Sequence, residues 1–259
     1  MLQAFDIHVR INGKPILHGA DFCARAGQFT AIVGPNGSGK STLLKAITGE
    51  IPFDGQVILN GLNPATLKPW ELAAIRGVLP QATTLAFPFT TAEVLRMGLR
   101  AGTSGAATAL ADRALAAVGL AGYGPRFYQE LSGGEQQRSQ LARVLCQVWD
   151  PMVAGIPRWL LLDEPVASLD IGHQLIVMRL LANYAARGGG VVAVMHDLNL
   201  SAMFADQMAV VSAGRVTSSG TPSQVMTDDI LSDAYHCALR VNTTPQRGQS
   251  FVLPHASVA

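Results

Sequence analysis

Cysteine is scarce in this 259-residue chain, and so is net charge. The three thiols, Cys23, Cys146 and Cys237, are far apart and odd in number. That argues against a disulfide framework or a cysteine-held metal and fits buried thiols in a reducing compartment. Charged residues make up 14% of the chain and balance to +1, with only four lysines. Such a balance offers no electrostatic case for nucleic acid. No apolar run approaches the roughly 18 residues of a spanning helix. The start, Met1-Leu2-Gln3-Ala4-Phe5-Asp6, lacks the basic-then-apolar plan of a signal peptide, so a cytosolic location is expected. There is no internal repeat, no low-complexity linker and no sustained heptad. What is present is apolar: 49% hydrophobic residues and a mean hydropathy of +0.26. This predicts a large core and leaves room for an apolar surface that docks another protein.

The segment Gly34-Pro35-Asn36-Gly37-Ser38-Gly39-Lys40-Ser41-Thr42 fits the phosphate-binding P-loop. Glycines let the backbone turn tightly and aim successive N–H groups at phosphate oxygens. Lys40 can reach β- and γ-phosphates, and the Ser41 hydroxyl can ligate Mg²⁺. The apolar run Gln28 to Val33 reads as a buried parallel strand, and Leu43, Leu44 and Ile47 follow at helical spacing.

Other strands are expected at Phe5 to Ile11, Gln56 to Leu59 and Gly77 to Pro80, with turns at Asn12-Gly13 and Asn60-Gly61. From Thr91 to about Trp149 the pattern is helical. Leu110, Ala114, Leu115 and Val118 form one apolar stripe; Leu141, Val144, Leu145 and Val148 form another. Glycine-rich breaks fall at Gly102 to Gly105 and Gly119 to Gly124. Strand character returns at Trp159 to Leu162 and at Val191 to Met195, bridged by a crossover helix over Gln174 to Ala186. The tail after Val241, with Pro245, Gly248 and Pro254, is expected to be irregular.

Two further segments carry chemistry. Leu160-Leu161-Leu162-Asp163-Glu164 is an apolar strand ending in two acids, the Walker B pattern. Asp163 is placed to hold Mg²⁺ through water, and Glu164 to polarise an attacking water. Leu131-Ser132-Gly133-Gly134-Glu135-Gln136-Gln137-Arg138 opens a helix with a capping box of Ser132 and Glu135. Its two glycines are poor helix formers, so a cap alone does not explain them; they leave N–H groups uncovered for an anion.

The P-loop, LSGGEQQR and LLLDEP, in that order, resemble the ATP-binding subunits of ABC transporters, and the likeness covers nearly the whole chain. The resemblance implies an α/β fold: a P-loop NTPase core with a mostly parallel sheet, an antiparallel β subdomain and an α-helical subdomain. The lobes would be residues 1–81 and 151–240 for the core, 82–150 for the helical subdomain and 241–259 for the tail. It implies that Gln81 senses Mg²⁺ and water, that Asp170 of Ala167-Ser168-Leu169-Asp170 belongs to the D-loop, and that His196 contacts the γ-phosphate. It also implies a head-to-tail dimer. There the P-loop of one copy and its ATP face Ser132, Gly133, Gly134 and Glu135 of the other.

Three positions depart from the family pattern. Ile11 stands near the place of an adenine-stacking aromatic. Val166 replaces a usual Thr. The stretch before Asp163 is roughly eight residues longer than is common, with Trp149-Asp150-Pro151 to Pro157 as a loop.

Within the family the chain is most similar to hemin (haem) importer ATPases of Gram-negative bacteria. The likeness lies in Val78-Leu79-Pro80-Gln81 with Leu85-Ala86-Phe87-Pro88-Phe89-Thr90, in Gln140 to Leu145, in the extended loop before Pro157-Arg158-Trp159 and in Arg240-Val241-Asn242-Thr243. It implies two transmembrane permease subunits, docked over Ala82 to Leu95, and a periplasmic binding protein acting indirectly. The expected place is the cytoplasmic face of the inner membrane. No direct contact with cargo is expected: His8, His18, His173, His236 and His255 are dispersed and lack haem-ligand spacing. Ferric-siderophore and cobalamin importers share this architecture and remain alternatives. A soluble ABC ATPase of DNA repair or translation is a remoter one, since this chain has one P-loop and no coiled-coil insertion.

Overall fold

The computed structural model describes residues 1–82, 85, 87–101, 108–244, 250, 252 and 253. β1 (Leu2–Ile11) turns through Asn12-Gly13 into β2 (Lys14–Ala24). Both turn residues have positive φ, 50° and 78°, the hairpin geometry that matches the twist of paired strands. β3 (Phe29–Val33), α1 (Lys40–Thr48), β4 (Asp54–Leu59), α2 (Pro69–Ile75) and β5 (Arg76–Leu79) follow. Then come α3 (Thr91–Ala101), α4 (Thr108–Ala117) and α5 (Gly133–Gln147). A small hairpin of β6 (Met152–Val153) and β7 (Ile156–Pro157) precedes β8 (Trp159–Asp163), α6 (Ile171–Ala186), β9 (Gly190–Val194) and α7 (Leu198–Phe204). β10 (Gln207–Ser212), β11 (Arg215–Gly220), α8 (Pro222–Val225) and α9 (Asp228–Tyr235) complete the order.

The central sheet has six strands in the order β11-β10-β3-β9-β8-β5. Five run parallel and β11 is an antiparallel edge. A second sheet, β2-β1-β4, is antiparallel. Side chains alternate across a strand, and the two faces of the central sheet bury into different clusters. Ala31, Leu160, Leu162, Val191 and Ala193 meet α5 and α6, together with the predicted stripes on α4 and α5. Ile32, Trp159, Leu161, Val192 and Val194 meet α1 and the antiparallel sheet. All eight residues of the two stripes are buried.

The extended stretch read as a loop at Trp149 to Pro157 is in part the β6–β7 hairpin, turning on Ala154-Gly155. The helix expected from Gln174 begins at Ile171, where Asp170 caps it. The break at Gly102 to Gly105 and the tail residues Pro245, Gly248 and Pro254 lie outside the described residues. No helix among the described residues is long and apolar enough to cross a membrane.

Candidate active site

Four neighbouring parallel strands, β3, β9, β8 and β5, end on one side of the sheet, the side where open α/β sheets bind ligands. Their tips carry the P-loop, His196, Asp163-Glu164 and Gln81. Together Asn36, Gly37, Gly39, Lys40, Ser41, Thr42, Gln81, Glu164, His196 and Ile16 line a cleft of about 560 Å³. A slightly larger hollow of about 640 Å³ lies between α1, β4 and α2 and holds none of these residues.

The P-loop is built so that only glycine serves at key points. Gly34 has φ of 146°, and a Cβ there would run into the Val211 carbonyl oxygen. Gly37 and Gly39 also have positive φ, 77° and 105°. Lys40 is buried, and its Nζ donates to the carbonyls of Gly34 and Pro35, both at 2.9 Å. The ammonium thus lies folded across its own loop. Burial lowers its pKa, against the opposing pull of Glu164 and Asp163.

Ser41 Oγ donates to Asp163 Oδ1 at 2.9 Å. Burial pushes the Asp163 carboxyl above the usual carboxylate range, against the Ser41 hydrogen bond that lowers it. Asp163 Oδ2 is buried with no hydrogen-bond partner. An orphaned carboxylate oxygen beside a serine hydroxyl is a hard-oxygen pair that fits Mg²⁺. No group of three or more His, Cys, Asp or Glu side chains placed to hold a metal ion occurs among the described residues.

Glu164 has φ of 53°, a left-handed conformation that is strained for a non-glycine residue. Its Oε1 receives two contacts, Gln81 Nε2 at 2.9 Å and His196 Nε2 at 2.7 Å. The structure therefore brings Gln81, Glu164 and His196 together.

Ser132 and Glu135 form the expected capping box, with Ser132 N–H donating to Glu135 Oε2 at 2.8 Å and Glu135 N–H to Ser132 Oγ at 3.3 Å. Ser132 and Gly133 are exposed and do not line the P-loop cleft of their own chain. A Cβ on Gly134 would approach the Ser168 carbonyl to 2.9 Å, while one on Gly133 would meet nothing within 4 Å. Asp170 accepts from His173 N–H at 2.9 Å and contacts His173 Nδ1 at 2.7 Å, so it is occupied with its own helix.

Two positions escaped the sequence reading. Ile11 is exposed, and it is Ile16, on the unforeseen strand β2, that lines the cleft. Gln137 bridges the Walker B end and the D-loop: its Nε2 donates to the Glu164 carbonyl at 2.6 Å, and its Oε1 accepts from Ser168 N–H at 3.2 Å. Its place one turn after a capping box gave no hint of this. Val166 is buried in the core. Phe87 is exposed, whereas Phe89 packs beside Val94, Tyr128 and Leu131. Ala86, of the same segment, lies outside the described residues.

A P-loop, a Walker B strand and an LSGG helix on one α/β sheet define a P-loop ATPase. The model of the ABC transporter family matches residues 17–167, more than half of the chain. The chain belongs to the ABC transporter family as an ATP-binding subunit, whose ATP hydrolysis is coupled to transport. "Hemin import ATP-binding protein HmuV" of Roseobacter denitrificans is 63% identical to it, over 99% of this chain and 98% of its own length. The protein of that name from a Jannaschia species is 60% identical, over 98% and 94% respectively. Among solved structures, a dimeric bacterial ABC transporter cassette superposes with a TM-score of 0.74 at 26% identity, covering 86% of this chain and 99% of that one.

Proposed function

We propose that this chain is the ATP-hydrolysing subunit that powers hemin uptake across a bacterial inner membrane. The observation that carries the cargo is full-length similarity to hemin import ATP-binding proteins, at 63% identity over 99% of the chain. On this reading two copies pair head to tail on the cytoplasmic face, beneath two transmembrane permease subunits served by a periplasmic binding protein. Residues 1–81 and 151–240 act as the catalytic lobe and 82–150 as the lobe that carries the signature motif. Phe87, which is exposed, belongs to the permease-facing surface.

Each functional residue then has a task. The N–H groups of Gly34 to Thr42 cradle the phosphates. Lys40 leaves the Gly34 and Pro35 carbonyls for the β- and γ-phosphates of ATP. Ser41, Asp163 and Gln81 would hold Mg²⁺, which would supply positive charge to offset that of the transferring phosphoryl group. Glu164 accepts a proton from the attacking water, and His196 turns from Glu164 to the γ-phosphate. Freeing Glu164 Oε1 from Gln81 and His196 makes it available as a base. Ser132, Gly133, Gly134 and Glu135 face the ATP of the partner copy, while Asp170 positions the D-loop between the two sites. The open space around Gly133 supports this: nothing among the described residues demands a glycine there.

Growth of a strain lacking this gene, on hemin as sole iron source, tests the cargo. The wild-type gene should restore growth and Lys40→Ala should not. Unimpaired growth of the deletion strain on hemin, with loss of growth on a ferric siderophore or of cobalamin uptake, would assign another cargo.

A further inference from the structure

We infer that Gln137 is a positioning residue that couples the two ATP sites of the dimer, by tying the signature helix to this chain's own Glu164. The inference rests on the head-to-tail pairing proposed above. The N-terminal turn of α5 is fastened to the segment after Walker B at two points. Gly134 lies so close to the Ser168 carbonyl that a Cβ would come within 2.9 Å. One turn later the Gln137 carboxamide spans the same segment, donating to Glu164 O at 2.6 Å and accepting from Ser168 N–H at 3.2 Å. The amide is half-buried, and both its ends are used.

What it grips is the strained point of the site. Glu164 holds a φ of 53°, and its N–H donates to the Val194 carbonyl at 3.2 Å, leaving its carbonyl for Gln137 and for Ala167 N–H at 3.3 Å. A shift of the carbonyl plane rotates the adjoining Cα and re-aims the carboxylate, now held by Gln81 and His196. The same end of α5 starts at Ser132 and Gly133, which are exposed. When these close on the partner's nucleotide, any movement of the helix reaches Glu164 through Gln137. Occupancy of one site thereby sets the geometry of the other, which is a coupling between sites in the thermodynamic sense.

The test is steady-state ATP hydrolysis by the purified full chain across a range of ATP concentrations, with nucleotide affinity measured separately using a fluorescent ATP analogue. Gln137→Leu removes both hydrogen bonds at similar volume. Gln137→Glu keeps the acceptor for Ser168 N–H and loses the donor to Glu164. Both variants should lower kcat about 10- to 100-fold while changing analogue affinity less than about 3-fold. The Hill coefficient should fall from near about 2 toward 1. A general loosening of the fold would not remove cooperativity while sparing affinity. If Gln137→Leu fails to fold, Gln137→Glu carries the test. Wild-type kcat and Hill coefficient in a folded variant would overturn the role of Gln137 alone. A wild-type chain that is non-cooperative and never dimerises with ATP would overturn the pairing, and this inference with it.

Discussion

Gly133 of the signature and Gly34 of the P-loop answer to different constraints, and substitution separates them. Gly34 is fixed from inside the chain: its φ is 146° and a Cβ would strike the Val211 backbone. Gly34→Ala should therefore cost stability, about 2–4 kcal/mol as overpacking and backbone strain combine. Gly133 has no such constraint, and alanine is the better helix former by about 1 kcal/mol. Gly133→Ala should unfold at an equal or slightly higher urea concentration than wild type, yet lose at least about 10-fold in ATP turnover, because on the proposed pairing the methyl group would intrude where a partner's phosphate approaches. Unchanged turnover in that variant would mean that no ligand comes close to Gly133. At this scale the sequence was most legible where chemistry is contiguous. The P-loop, Asp163-Glu164 and the Ser132–Glu135 box can each be read from neighbours along the chain. Ile16 and Gln137 could not, because each acquires its place only when distant strands and helices meet.

Whole elements were readable in proportion to how strongly their local pattern matched their environment. β3, β8 and β9 are buried on both faces and show as unbroken apolar runs. β2 is half-exposed and carries Pro15 and Gly19, so its alternation is diluted and the strand does not stand out in the sequence. β10 and β11 turn on Ala213-Gly214, and β6 and β7 on Ala154-Gly155. Both alanines have positive φ, 46° and 50°, a conformation that costs a side chain with no local hydrogen bond to offer. Ala-Gly is thus a weak turn signal, unlike Asn12-Gly13 and Asn60-Gly61, where all four residues have positive φ. The same physics makes a prediction. Ala154→Asn should stabilise the protein by about 0.5–1 kcal/mol, because asparagine tolerates the left-handed region and favours this hairpin turn. The gain should appear as a higher urea midpoint at an unchanged slope. ATP turnover should stay as in wild type, since the hairpin lies at the N-terminal end of β8, away from the cleft. A lower midpoint would show that the turn geometry is held by something other than local conformational preference.

At the scale of the molecule, the proposed head-to-tail pairing would make each chain half of a site. The P-loop cleft is open, and Ser132 and Gly133 of the same chain are exposed outside it. Phosphoryl transfer depends on positioning and on charge stabilisation in a site closed to water. A lone cleft leaves the far side of the γ-phosphate wet. The uncapped N–H groups of a second copy's α5 can supply the missing donors, each worth on the order of 3 kcal/mol once water is excluded. Binding energy for ATP would then be expressed as association of two chains, and hydrolysis as their release. A variant that binds ATP without consuming it should therefore accumulate as a dimer. Glu164→Gln removes the base while keeping the side chain's size, so turnover should fall at least about 100-fold. With ATP and Mg²⁺ this variant should sediment at twice the 27.3 kDa chain mass. With ADP, or with ATP and a chelator in place of Mg²⁺, it should return to the monomer mass. Adding Ser132→Arg should prevent the dimer in ATP, because each composite site would lose its serine donor and gain a bulky side chain at the closing face. A single 27.3 kDa species at millimolar ATP, in a Glu164→Gln chain shown to bind the nucleotide, would instead require the permease to hold the two copies together.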